Sequence, residues 1–278
     1  MKKLGIIIDS FASITEENAQ KLGYHLLPLQ VEIDNVSIKD KTIENIELLH
    51  KIAQAKICKT SLPNITLIEQ VLEKTLNKYD YVLFIGVSEH LSSTAQYIQT
   101  FAKNNPKLKI VKNNLVGVQI QKAIEIAQNI FEKTENIDLT LKKLQNFINQ
   151  CSTYILPINL DYMIKGGRLT GIKKLILTKI KVFPILKYDH EGLVSVYTIK
   201  RTLNGAIEKL CYKVQENSNS LKNSVVQLIS GIDEKINNKL KEVAKNIGLV
   251  ISAKKLTPTA IAIHTGPDAI CLSVMPEE

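Results

Sequence analysis

Leu4-Gly-Ile-Ile-Ile-Asp9 is a short, unbroken apolar run that stops at an acid. Tyr81-Val-Leu-Phe-Ile-Gly-Val87 has the same form, and Leu108 to Val111 is a shorter version of it. Runs of this length without polar alternation predict strands covered on both faces, as in a parallel sheet. Between them, Ile65, Ile68, Leu72 and Leu76 recur at helical spacing, as do Ala95, Ile98 and Ala102. After the first run, Ser10 to Ser13 leads into Thr15-Glu16-Glu17, a helix start with acids in its first turn. Strand–helix–strand alternation with short connections predicts an α/β domain built on a parallel sheet.

The pattern changes after about residue 155. Gly166-Gly167 interrupts the chain, and Val194-Ser-Val-Tyr-Thr-Ile199 follows a turn at Asp189-His-Glu-Gly192. Lys222 to Ser230 reads as another strand, followed by a helix with Leu240, Val243 and Ile247 on one face. A last strand, Ala269 to Val274, follows the Gly266-Pro267 turn. These elements predict a second, α+β domain with a partly antiparallel sheet, dividing the chain into residues 1–155 and 156–278. No low-complexity linker separates the halves, so they are expected to pack closely.

The composition fits this reading and excludes others. A chain of 278 residues buries about 75% of its unfolded surface and needs no disulfide or metal staple. With 45% hydrophobic and 23% charged residues and a mean hydropathy of zero, it reads as neither disordered nor membrane-embedded. The net charge of +9 raises the question of nucleic acid. However, Arg168 and Arg201 are the only arginines among the 36 basic residues, and the lysines are spread from Lys2 to Lys255. Base readout leans on bidentate Arg, and single-strand platforms interleave basic grooves with aromatics, which make up only 5% here. No specific nucleic-acid partner is expected.

Cys58, Cys151, Cys211 and Cys271 are far apart, with no CxxC or Cys/His ligand spacing, and the five histidines form no HExxH. The cysteines are expected to be buried thiols in a reducing, cytoplasmic setting, with neither metal nor cofactor. Met1-Lys2-Lys3 and the run that follows resemble a signal peptide, but Asp9 ends the run too early. No stretch approaches the ~20 apolar residues of a spanning helix.

Three polar clusters fall where one element hands over to the next. Lys59-Thr60-Ser61-Leu62-Pro63 suits either a helix cap or an anion site at a helix start. Leu91-Ser92-Ser93-Thr94-Ala95-Gln96 follows the strand ending at Val87, where open α/β sheets bind ligands. Ile263-His264-Thr265-Gly266-Pro267 places a histidine in a Gly-Pro turn. The two arginines lie in Gly166-Gly167-Arg168 and Lys200-Arg201-Thr202, and their use in a lysine-rich chain points to planar or bidentate contacts. An enzymatic alternative is a serine hydrolase acting on a lipid or small ester, with Ser88 or Ser92 as nucleophile, His264 as base and Asp9 as acid. Gly86-Val-Ser88-Glu-His90 supplies only half of a GxSxG elbow.

Thr60-Ser61-x-Pro63, Leu91-Ser92-x-Thr94, Lys165-Gly166-Gly167-Arg168, Phe183-Pro184-Ile185-Leu186 with Gly192, Lys200-Arg201-Thr202 and His264-Thr265-Gly266-Pro267 occur in the order of the DegV family. The opening Ile8-Asp9-Ser10 resembles that family's start. The resemblance runs from residue 4 to about 274. It implies a bacterial two-domain α/β protein that holds a long-chain fatty acid between its domains. Carried over, Thr60, Ser61, Ser92, Ser93, Thr94, His264 and Thr265 would surround the carboxylate. The resemblance further implies no catalytic residue in this chain. An ATP-using fatty acid kinase would phosphorylate the presented carboxylate, an acyltransferase would receive the product, and Arg168 and Arg201 would dock the kinase or steady the head-group loops. Three departures stand out: Ser93 replaces the Gly of Ser-Gly-Thr, Asp268 stands where another Gly is common, and Asn113-Asn114 replaces Asp-Ser. An added side chain at the first two would narrow the head-group end.

Overall fold

A computed structural model describes residues 1–40, 46–166 and 182–277. β1 (Leu4–Asp9) ends in a single 3-10 turn, Ser10–Ala12, whose Phe11 amide donates to the Asp9 carboxyl at 3.0 Å. α1 (Glu16–Lys21) is capped by Thr15, as its sequence predicts, and leads to β2 (His25–Leu27). β3 (Gln30–Ile33) and β4 (Val36–Lys39) form a hairpin. Its turn residues Asp34 and Asn35 take φ of 46° and 67°, matching the twist of the flanking strands. After α2 (Ile46–Gln54), β5 (Cys58–Ser61) returns along β3, completing a small antiparallel sheet in the order β4-β3-β5.

That sheet corrects the reading of Lys59–Pro63 as a helix entrance. The chain stays extended through Ser61, and α3 (Ile65–Lys78) is capped by Asn64, whose side chain accepts from the Leu67 amide at 3.2 Å. β6 (Tyr81–Ile85), α4 (Ser93–Ala102) and β7 (Leu108–Ile110) follow as the apolar runs predict. β2, β1, β6 and β7 pair in that order, all in parallel. Two long helices, α5 (Val118–Thr134) and α6 (Ile137–Gln150), close one face of the sheet. Ile6 and Ile8 point to that face and pack with Ile120, Ile124 and Leu144, whereas Ile7 and Phe84 point to the other and pack with Ile68, Leu72 and Ile98. This double burial is why β1 shows no polar alternation, and each such side chain contributes about 1.5–3 kcal/mol.

β8 (Ser152–Leu156) begins a second sheet, and α7 (Asp161–Gly166) follows it. β9 (Phe183–Tyr188), β10 (Val194–Lys200), α8 (Leu203–Asn219), β11 (Ser224–Ser230), α9 (Glu234–Asn246), β12 (Ala253–Leu256), α10 (Thr259–Thr265) and β13 (Ile270–Pro276) complete the described chain. The strand order is β10-β9-β8-β13-β11-β12, antiparallel except for β11 with β12. The α+β character expected of the second half is therefore present. α8 and α9 cover one face through Ile207, Leu210 and Leu240. The opposite face turns toward the first sheet.

Two buried glutamines tie the start of α5 to the second sheet. The Gln119 side chain donates to Val274 O at 3.0 Å and accepts from the Thr153 hydroxyl at 3.0 Å. Gln227 accepts from the Val118 amide at 2.6 Å and donates to the Ser273 hydroxyl at 3.1 Å. Such fully bonded buried amides fix register between layers, because displacing them strands polar atoms away from water. Among the described residues no helix is long and apolar enough to cross a membrane.

Candidate functional site

The parallel strands β1 and β6 release the chain at Phe11 and Val87, and a cavity of about 320 Å³ opens between these carboxyl ends and the free face of the second sheet. This is the place at which α/β sheets collect ligands. Its floor follows from strand register: Leu186 opposes Ile155, Ile155 opposes Cys271, and Cys271 opposes Ile229. These four side chains form a row across four neighbouring strands, roughly 14 Å long at the usual strand spacing. Phe11, Val87 and Val116 supply apolar wall from the first half.

The wall carries two sets of hydrogen-bonding side chains, one around His264 and one at the start of α4. Along β5, Cys58 and Thr60 are the more covered residues and Lys59 and Ser61 the more exposed. Thr60 Oγ1 lies 2.6 Å from His264 Nε2. His264 and Thr265 are in the last turn of α10, and the Gly-Pro turn expected around them begins at Gly266, φ 94°. Thr265 is buried and its hydroxyl donates to Ile261 O at 3.0 Å. Ser92 is the N-cap of α4, and its Oγ is 2.9 Å from Thr94 Oγ1. Thr60, Ser61, Ser92, Ser93, His264 and Thr265 all border the cavity; Thr94 is wholly buried behind Ser92 and does not. Ser61 and Leu62 also border an open groove on the outer surface.

The arginines stand apart from this arrangement. Arg201 is exposed beyond the end of β10 and outside the cavity wall. Arg168, with Gly167, lies outside the described residues. Their motif nevertheless touches the site through Gly166, the last residue of α7. A methyl group there would overlap His264 Nδ1, so this glycine is a requirement of close packing.

The groups named for the hydrolase alternative make other contacts, Ser92 to Thr94 among them. Asp9 accepts from the Phe11 and Val87 amides, Ser88 Oγ accepts from the His90 amide at 3.1 Å, and His264 Nε2 faces Thr60. Burial raises the Asp9 carboxyl to about 7 in spite of its two amide bonds, with neighbouring Asp40 adding to the rise. Burial likewise pushes the Cys271 thiol up to about 12, far from the thiolate a nucleophile needs. Cys151 and Cys211 are buried, as expected of all four cysteines, but Cys58 and Cys271 are only partly covered. No cluster of three or more metal-ligating side chains occurs among the described residues.

The replacements noted in the sequence have local explanations. Asn113 donates to Gly86 O and Val111 O and accepts from the Leu115 amide, pinning the loop after β7. Asn114 donates to Tyr188 O at 3.3 Å. Ser93 is exposed at the cavity rim, and Asp268 is half-buried, its carboxyl raised by burial and by Asp233. Tyr188, Ile155, Cys271 and Ile229 carry no chemical signature in sequence and reach the cavity by strand register beside Leu186 of the Phe183–Leu186 motif, whereas Val116 comes from the loop before α5.

The profile of the DegV family of uncharacterised proteins matches residues 3–277. A DegV domain-containing protein of Mycoplasmopsis pulmonis is 27% identical over 281 residues, spanning 98% of this chain and 95% of the relative. Among solved structures, the fatty acid binding DegV family protein of Streptococcus agalactiae superposes with a TM-score of 0.86 at 22% identity, over 100% of both chains. A DegV family protein of Thermus thermophilus, described for its fatty acid binding, gives 0.83 at 20% identity over 99% of both. At these identities the structures establish a shared two-domain fold. Matched by the family profile over nearly its whole length, the chain belongs to the DegV family.

Proposed function

We propose that the cavity binds one long-chain fatty acid, with the carboxylate against Thr60, Ser61, Ser92, Ser93 and His264, with Thr94 holding Ser92 and with Thr265 lining the cavity while its hydroxyl stays on Ile261 O. The observation that carries this reading is the lining: hydroxyls and an imidazole at Thr60 with His264 and at Ser92 with Ser93, and a mainly hydrophobic remainder broken by Thr153, Tyr188 and Thr257. Hydroxyl, amide and imidazole donors satisfy a carboxylate without a full counter-charge, which limits its desolvation cost. Each methylene gains about 0.8 kcal/mol on leaving water, so a tail of roughly fourteen contributes on the order of 11 kcal/mol before ordering costs. A volume of about 320 Å³ suits a single narrow ligand. The fatty acid binding of the Streptococcus agalactiae and Thermus thermophilus proteins supports the same class of ligand here.

In this reading the first sheet with its loops forms one wall and the second sheet, whose strand β8 (Ser152–Leu156) starts ahead of the boundary expected at 155, forms the other, and the chain is a carrier without catalytic residues. An ATP-using kinase would supply the chemistry. A carboxylate oxygen attacks the γ-phosphorus, the bond to the β-phosphate oxygen breaks, and acyl phosphate and ADP result, with an acyltransferase as the next recipient. Arg201, exposed and clear of the cavity, is suited to docking that kinase, and Arg168 is assigned the same role on its motif. Native mass spectrometry of the purified protein, followed by lipid extraction, tests the core of the proposal. A near-stoichiometric fatty acid adduct is expected. A clean apo mass with no uptake of added fatty acid would overturn it.

A further inference from the structure

The Asp9-Ser10 pair closing β1 and the acid Asp40 closing β4 are buried, yet none of them borders the cavity. Ser10 Oγ accepts from the Leu29 amide and donates to Asp40 O, both at 3.1 Å. The Asp40 amide donates to Leu29 O at 2.8 Å. Asp40 is thereby fixed by its backbone, leaving its side chain aimed across the molecule. Its Oδ2 accepts from the Ala260 amide at 3.1 Å, a contact spanning 220 positions of sequence.

Ala260 is the second residue of α10, and the local cap position is occupied by Pro258, which offers no side-chain acceptor. A first-turn amide of this kind ordinarily takes a hydroxyl or carboxyl from the N-cap itself. Here the acceptor comes from the small N-terminal sheet, and a carboxylate at this end also complements the helix dipole. α10 is the helix that carries His264. It is tied to the small sheet at its start by Asp40 and near its end by Thr60, with Leu29, Val31, Ala260 and Ile263 packed between.

We propose that Asp40 is the positioning residue for His264, setting the angle and depth at which α10 offers its imidazole to the cavity. The inference rests on the carrier reading for its consequence, the orientation of the bound carboxylate. Its structural content, a remote cap that places the histidine, stands apart from the identity of the ligand.

The test uses the full chain and two readouts: the ring NMR signals of His264, assigned by their loss in His264→Ala, and titration with the fluorescent fatty acid parinaric acid. Asp40→Ala is expected to displace the ring signals and to weaken the probe about fivefold, the usual worth of a lost cap. Asp40→Asn keeps an oxygen acceptor for the Ala260 amide and is expected to restore both. Pro258→Ser in the Asp40→Ala background supplies a local cap, yielding folded protein even if Asp40→Ala alone does not fold. Its ring signals should return to wild-type positions. Unchanged ring signals in Asp40→Ala, or displaced ones in both rescuing variants, overturn the proposal. If wild-type protein fails to bind the probe while the ring signals still answer to Asp40, the carrier reading falls and the positioning role stands.

Discussion

His264 Nε2 and Thr60 Oγ1 lie 2.6 Å apart, although 204 positions separate the two residues in sequence. The contact joins α10, from the second half of the chain, to β5 of the small sheet. A short bond between imidazole and hydroxyl leaves each group oriented by the other. With Nε2–H donating to Thr60 Oγ1, the hydroxyl proton stays available to a ligand carboxylate from a group already ordered, with little rotamer entropy left to lose.

The pair is therefore expected to act jointly. Thr60→Val removes the hydroxyl with little change of shape, and His264→Ala removes the imidazole. Each should weaken fatty acid binding by about 1–2 kcal/mol, with the double variant losing less than the sum. Calorimetric titration of all four proteins measures the coupling. Strict additivity would show that the two groups bind independently.

Gly166 gives a second prediction, since a methyl group on its Cα overlaps the His264 ring. Gly166→Ala should push the imidazole out of line, costing about 1–3 kcal/mol of stability by overpacking and at least as much affinity. Urea denaturation alongside fatty acid titration reads both. Undiminished affinity in a destabilised variant would mean that the histidine moves without consequence for the ligand.

How much of this was legible in the sequence depended on the length of each pattern. β1, β6 and the faces of α3 and α4 were readable because unbroken apolar runs and helical spacing persist over five or more residues. The small sheet was not. β3 and β5 have four residues each, and β5 is Cys-Lys-Thr-Ser, which carries the hydroxyls of a cap and none of the bulk of a strand. Tertiary pairing with β3 overrides that local preference. The polar residues at the cavity were identifiable one by one from their chemical types, whereas of the apolar floor only Leu186 stood in a recognisable motif, because Ile155, Cys271 and Ile229 join it only through register.

That floor supports a third prediction. Ile229→Phe enlarges a side chain that faces open volume, so stability should change by less than about 1 kcal/mol while the cavity shortens. Shorter fatty acids should then bind in preference to the longest ones accepted by the wild type. Competition among a chain-length series, read by mass spectrometry, checks this. An unaltered profile would place the tail away from Ile229.

Asp9 makes the fourth prediction, about pH. Its carboxyl ionises at about 7 in the folded protein against an ordinary value of 3.8, so between these values the folded state holds a proton that the unfolded chain has released. Stability from this group is therefore fully present below about pH 4 and is lost as pH rises through 7. A shift of this size corresponds to on the order of 4 kcal/mol. Asp9→Asn abolishes the titration, though its amide NH₂ opposes one of the two backbone N–H donors at Phe11 and Val87, so the variant should be weaker at pH 5. Unfolding free energies of both proteins by urea at pH 5 and pH 8 separate the effects. The wild type should lose more stability than the variant between the two, narrowing the gap at the higher pH. Parallel losses would mean that Asp9 is ionised throughout, held by its two amides more strongly than burial opposes it.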